Sequence, residues 1–319
     1  INPEASMLCN LETEELLMVF IKPLLIFKSA SIKVPSGIKT LPPLMIKLSL
    51  FWSMLCFPSQ FNVNIDNHYS SKLREFYAKR MKALLKSTND TARFAIYFAP
   101  EIGSNLHTIG SQWLGRDSSS GQSIKQPNIK GISSNYFFSV TKTPRLYGFH
   151  ATLKAPFRLN KRFTLKDLRS KIQRLSALSE PFSVNLKVQK LGNFIALMMD
   201  PNERKMQNLA SKLVKNLDQF RAPLHQEEIA KRRMSNLTNS EDENLLAWGY
   251  PYVLNDFRFH MTLTERIQYR SDQEFIINAA SSHFSKSLDT AIMVNSVSLF
   301  FQENSKANFL QIEQFPLKE

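Results

Sequence analysis

The chain has 319 residues, 43% hydrophobic and 21% charged, which is the composition of a globular protein with enough apolar side chains for one or two cores. Forty-one Lys and Arg against 27 Asp and Glu give +14 at pH 7, a balance suited to a small anionic, phosphorylated ligand and, with less weight, to RNA. The two cysteines, Cys9 and Cys56, exclude a disulfide framework and a cysteine-built zinc site, and neither a Walker loop nor a Gly-x-Gly-x-x-Gly turn occurs, so no metal or cofactor is expected.

Residues 1–90 are poorly patterned. Their apolar runs, 16–27 and 48–57, are shorter than the ~18–20 residues of a membrane span, and Glu4, Glu12, Glu14 and Glu15 stand where a signal peptide would carry positive charge. This segment is read either as a dispensable extension or as upstream sequence from an over-long reading frame, with Met81 as a plausible start. The rest, 91–319, is expected to be the folded part, and the protein a cytoplasmic monomer without stable membrane insertion.

Phe94, Ile96 and Phe98 alternate in a first strand that Pro100 ends. A Gly- and Ser-rich connection follows over 103–135, with a short helix around 106–114. Arg116 and Asp117 lie in it, read as an exposed ion pair or a substrate contact. Residues 147–157 predict a strand. Thr164 is placed to cap a helix over 165–178, where Leu165, Leu168, Ile172 and Leu175 keep helical spacing. Residues 182–191 and 194–199, joined by Gly192-Asn193, predict a hairpin. A second amphipathic helix spans 203–217. Two short helical stretches, 229–234 and 241–248, lead to the aromatic cluster Trp248-Gly-Tyr-Pro-Tyr252, read either as a wall beside a cleft or as a packed corner. A strand over 257–263, a helix over 272–283 and strands over 292–301 and 309–315 complete the chain.

Two of these strands carry one five-residue frame, Phe-His-x-Thr-Leu, at Phe149-His-Ala-Thr-Leu153 and Phe259-His-Met-Thr-Leu263. With a side-chain period of two, His150 and Thr152 share one face, as do His260 and Thr262, and the apolar residues take the other. Two imidazoles that titrate near pH ~6.5 can supply both the base and the acid for in-line displacement at phosphorus. Thr hydroxyls can donate to the non-bridging oxygens. Lys154 and Arg258 are in phase with the two histidines and are expected to reach a substrate phosphate. A single His-x-Thr is ordinarily a packed histidine; the duplication within one frame argues against that.

Paired His-x-Thr motifs resemble the two-histidine (2H) phosphoesterase superfamily. The stretches Arg93-Phe-Ala-Ile-Tyr-Phe-Ala-Pro100, Trp113-Leu-Gly-Arg-Asp117, Tyr147-Gly-Phe-His-Ala-Thr-Leu-Lys-Ala-Pro-Phe157, Phe220-Arg-Ala-Pro-Leu224, Trp248-Gly-Tyr-Pro-Tyr252 and Phe257-Arg-Phe-His-Met-Thr-Leu263 are similar to its phosphonate-operon-associated branch. The resemblance implies an α+β, two-lobed fold, each lobe an antiparallel sheet with packed helices, and a cleft between the lobes. His150, Thr152, His260 and Thr262 would be its catalytic residues. Tyr147 and Tyr250, inside the resembling stretches, are expected to line substrate with Lys154 and Arg258. The implied activity is metal-independent hydrolysis of a cyclic or linear phosphodiester, such as a sugar phosphate in phosphonate metabolism. RNA-end processing or ligation is the enzymatic alternative, and a non-catalytic nucleotide- or phosphometabolite-binding module the other.

Overall fold

A computed structural model describes residues 91–318, which fall within one compact unit, Glu75–Glu319. The readings made for residues 1–90, with Met81 and both cysteines, lie outside the described residues.

The fold is α+β, built on a seven-stranded sheet whose pairings are all antiparallel. In chain order the strands are β1 (Arg93–Phe98), β2 (Ala151–Phe157), β3 (Phe182–Val184), β4 (Leu186–Leu191), β5 (Phe194–Met199), β6 (His260–Thr262), β7 (Ile292–Val294), β8 (Ser296–Gln302) and β9 (Leu310–Pro316). The large sheet runs β4-β5-β6-β2-β1-β8-β9, while β3 and β7 form a separate two-stranded ribbon. The helices are α1 (Asn105–Leu114), α2 (Ser134–Val140), α3 (Lys142–Tyr147), α4 (Leu165–Ala177), α5 (Arg204–Asn216), α6 (Gln226–Arg233), α7 (Asn239–Trp248) and α8 (Arg270–Leu288).

Sequence patterns account for most of these elements. Thr164 caps α4 in a reciprocal capping box with Asp167, and Leu165, Leu168, Ile172 and Leu175 turn inward. In α5 the buried stripe is Met206, Leu209, Ala210, Leu213 and Val214. These faces join Phe94, Ile96 and Phe98 of β1 and Ile276, Ala280 and Phe284 of α8 in one apolar core. Helices α4, α5 and α8 therefore cover one face of the sheet. The opposite face carries a smaller cluster, Ala95, Tyr97, Ala99, Phe300 and Phe309, against which Tyr147 packs.

The structure corrects the expected layout in three places. The two motif strands are not on separate facing sheets: β2 and β6 are neighbours in the continuous sheet, with Ala151 opposite Met261 as their one registered pair. The strand expected over 182–191 divides at Asn185, and that over 292–301 at Asn295, because their first three residues leave the main sheet to pair as β3 and β7. The second motif strand is only three residues long. The chain reaches it through a 3₁₀ turn at Leu254–Asp256, where Leu254 has φ 55°, so 257–259 is not free to join the ladder.

Candidate active site

The antiparallel register fixes the geometry of the motifs. With Ala151 opposite Met261, counting outward places His150 beside Thr262 and Thr152 beside His260. Ala151 and Met261, fully buried, point to the helix face, so the four polar side chains rise together on the other. Cross-strand neighbours on one face have Cβ atoms roughly 4.5–5.5 Å apart, so each histidine stands beside the threonine of the other motif. All four line one cleft of about 570 Å³.

Each histidine is held the same way. His150 Nδ1 lies 2.8 Å from the carbonyl of Gly148, and His260 Nδ1 lies 2.8 Å from that of Arg258. A carbonyl can only accept, so the proton sits on Nδ1 and Nε2 is left with its lone pair. His150 Nε2 is 3.4 Å from Thr152 Oγ1. The flanking Phe149 and Phe259 are buried in the core and fix the backbone from below.

The surroundings differ. Tyr97, on β1 opposite Thr152, stacks on the His150 ring at 3.8 Å between centroids. The equivalent position beside Thr262 is Ala196 of β5, which offers no ring to His260. Burial pulls the His150 pKa down to about 4, with His260 and Arg116 adding to the shift against the opposing Gly148 hydrogen bond. Burial also lowers His260, again opposed by a carbonyl bond.

Tyr147 and Tyr250 line the cleft, and Tyr147 lies 6.0 Å from the His150 ring. Tyr252 is exposed, so the aromatic cluster gives one wall residue. Lys154 does not reach the cleft. Ile96 pairs with Lys154 but Tyr97 with Thr152, so β2 carries an extra residue, Leu153, and the bulge reverses the side-chain phase. The ammonium is 3% exposed on the helix face, 3.2 Å from both the Val214 carbonyl and Asp218 Oδ1. Arg258 precedes the short β6 with its side chain exposed outside the cleft; only its carbonyl serves the site.

Arg116 and Asp117 are neither an exposed pair nor cleft residues. Arg116, 2% exposed, donates to the carbonyls of Arg145, Leu146 and Phe309, tying the end of α3 to the start of β9 just before Gly148. Asp117 accepts from Ser119 and Ser120 and lies 3.3 Å from His107.

Residues not anticipated also reach the cleft. Arg93 and Tyr97 share a face of β1. Arg232 of α6 lies over the Tyr250 ring at 5.0 Å, and Arg266 over Phe194 at 5.6 Å. Glu265 is held at the rim by the Thr143 amide and hydroxyl. Arg232 sits in the densest basic run, Lys231-Arg232-Arg233, which reads on its own as solvated surface. The alternation Arg93, Ala95, Tyr97 was the available signal for the first two. Among the described residues no group of three or more His, Cys, Asp or Glu gathers as for a metal ion, and no helix is long and apolar enough to cross a membrane.

Residues 152–310 match a family described as "Protein of unknown function (DUF1045)". Two curated relatives are each named "Ribose 1,5-bisphosphate phosphokinase PhnN". That of Janthinobacterium sp. (strain Marseille) is 35% identical over 72% of this chain and 52% of its own length. That of Laribacter hongkongensis (strain HLHK9) is 31% identical over 68% of this chain and 50% of its own. The chain thus carries a match to the DUF1045 family and is homologous to about half the length of proteins named as ribose 1,5-bisphosphate phosphokinases.

Proposed function

We propose that the protein is a metal-independent phosphoesterase of the two-histidine type that opens a cyclic, or cleaves a linear, phosphodiester on a sugar phosphate. The observation that carries this reading is the register of Ala151 with Met261, which sets two carbonyl-anchored imidazoles and two hydroxyls side by side in one cleft. Simple binding of an anion needs donors only. Two imidazoles anchored alike through Nδ1, each with Nε2 left to take up or give back a proton, suit proton transfer at both ends of an in-line displacement.

In this mechanism one Nε2 takes a proton from water as its oxygen bonds to phosphorus. The opposite P–O bond breaks, and the other imidazolium returns a proton to the departing oxygen, giving a phosphomonoester and an alcohol. Burial against Tyr97 keeps His150 neutral more firmly than His260, which supports His150 as base and His260 as acid. Thr152 and Thr262 donate to the non-bridging oxygens.

The relatives' name supports a pentose phosphate as the sugar. The phosphokinase activity itself belongs to proteins of which this chain spans about half, and a nucleotide-cradling Gly-x-x-x-x-Gly-Lys-Ser/Thr loop does not occur in its sequence. The test is a panel of cyclic and linear phosphodiesters assayed with and without chelator. Hydrolysis unaffected by chelator is expected. Turnover restored only by added metal would reject the mechanism, and tight binding with no turnover across the panel would favour a binding module.

A further inference from the structure

The cleft is lined by more donors than one phosphodiester needs. The Tyr97 ring is fully buried and faces the cleft, yet its hydroxyl has no hydrogen-bond partner. A buried, unpaired hydroxyl normally costs ~1–3 kcal/mol, so a site that keeps one points to a partner that arrives from outside. Two cations line the same cleft: Arg93, four residues earlier on the same strand face, and Arg232, from α6. Tyr147 and Tyr250 line the cleft as well, and Arg232 lies over the Tyr250 ring. Among the described residues Arg232 has no carboxylate partner, whereas the basic residue beside it, Arg233, is paired with Asp242 at 2.7 Å. Arg93 spends Nε and one terminal nitrogen on Gln302 Oε1, which orients the guanidinium along the cleft wall. A cleft wall that combines an orphan hydroxyl, two guanidiniums and two further tyrosines suits a compact anion with several acceptor oxygens.

We propose that the Arg93–Tyr97–Arg232–Tyr250 end of the cleft is a second anion subsite, which selects substrates bearing a terminal phosphomonoester in addition to the phosphodiester at the His–Thr square. This rests on the catalytic reading for the first phosphate, but not for its own existence. The subsite makes the preferred ligand doubly phosphorylated and places its second phosphate on the Tyr97 side of His150. It also gives Tyr97 two duties, packing His150 through its ring and meeting the second phosphate through its hydroxyl.

Calorimetric titration of the purified full chain with a pentose 1,5-bisphosphate and with each monophosphate of the same sugar tests the subsite without turnover. The bisphosphate is expected to bind at least about tenfold more tightly than either monophosphate, a difference of ~1.4 kcal/mol. Arg232→Gln should erase most of that preference, while the charge-matched control Lys215→Gln on exposed α5 surface should keep it. Tyr97→Phe should also reduce the preference yet melt no lower than wild type, since it removes an orphan hydroxyl and leaves the ring. Equal affinity for mono- and bisphosphate in the wild-type chain, or an unchanged preference in Arg232→Gln, overturns the subsite. The two readings separate in a rate assay on adenosine 2′,3′-cyclic phosphate with and without a 5′-phosphate. Hydrolysis indifferent to the 5′-phosphate rejects the subsite and keeps the catalysis. A retained bisphosphate preference with no hydrolysis of either compound keeps the subsite and rejects the catalysis.

Discussion

Gly148→Ala is the sharpest perturbation of the site that touches none of its reacting groups. Gly148 has φ 86° and ψ 176°, a backbone region that only glycine occupies readily and that costs other residues ~1–3 kcal/mol. A Cβ placed there would lie 2.5 Å from Ser118 Cβ and 2.8 Å from its Oγ, closer than such contacts permit. Ser118 is itself buried, so relief requires backbone movement, and overpacking of this kind costs a further ~1–3 kcal/mol. The total, about 2–6 kcal/mol, corresponds to a melting-temperature loss of roughly 5–20 °C for a unit of this size. Either escape moves the Gly148 carbonyl, the acceptor that fixes the His150 tautomer. Thermal unfolding would be followed by calorimetry, and the His150 ring nitrogens by ¹⁵N NMR. Gly192→Ala serves as the control: φ is 60° there but nothing lies within 4 Å, so it should cost only ~1–2 kcal/mol and leave His150 alone. A Gly148→Ala protein that melts within a degree or two of wild type, with His150 unchanged, would refute the reasoning.

Three further outcomes are expected. His150→Ala and His260→Ala should each lower kcat by roughly 10²–10⁴-fold, with the double variant only slightly worse, because in the proposed mechanism the two share one transition state; additive losses in steady-state kinetics would contradict this. Lys154, pulled down by burial to about 8 despite Asp218, holds its proton to ~10.4 when unfolded. Between those values the unfolded chain binds more protons, so stability should rise with pH across that window, by at most ~3 kcal/mol. Lys154→Met should flatten this slope in urea titrations; an unchanged slope would show that another group sets it. His150 titrates at about 4 when folded and ~6.5 when unfolded, so its contribution is complete above 6.5 and is lost as pH falls to 4. His150→Gln should lessen that acid loss, measured by the same titrations.

The paired motifs were legible because four of five residues recur at the same spacing in two β-prone runs, and period-two alternation alone aligns His with Thr. The capped helix α4 and the hairpin of β4 with β5 were legible for the same local reasons. What escaped depends on distance or on a broken period. Lys154 was read into the cleft because strict alternation puts it there, and the Leu153 bulge is set by the register with β1, which the sequence of β2 does not encode. The pairing of β2 with β6 joins segments separated by four helices, so the expectation of facing strands had no local signal to correct it. The helices α2 and α3, seven and six residues long, are too short for a period to emerge, although Ser133 caps the first. Arg232 reached the cleft from a charge run whose local pattern is that of solvated surface.

The join between β2 and β6 has a mechanical consequence. Both motifs straddle it, yet it is stitched by one registered pair, whereas the flanking joins, β1 to β2 and β5 to β6, run through several. A phosphate engaging His150 and His260 together would be a staple across the thinnest seam of the sheet. At a hundredfold excess over its Kd such a ligand adds about 2.7 kcal/mol to the folded state. Part of that gain should appear locally, as slower amide hydrogen exchange at Ala151 and Met261 than in the strands at the sheet's edges. The sheet would then be most open when empty and closed by the molecule it holds.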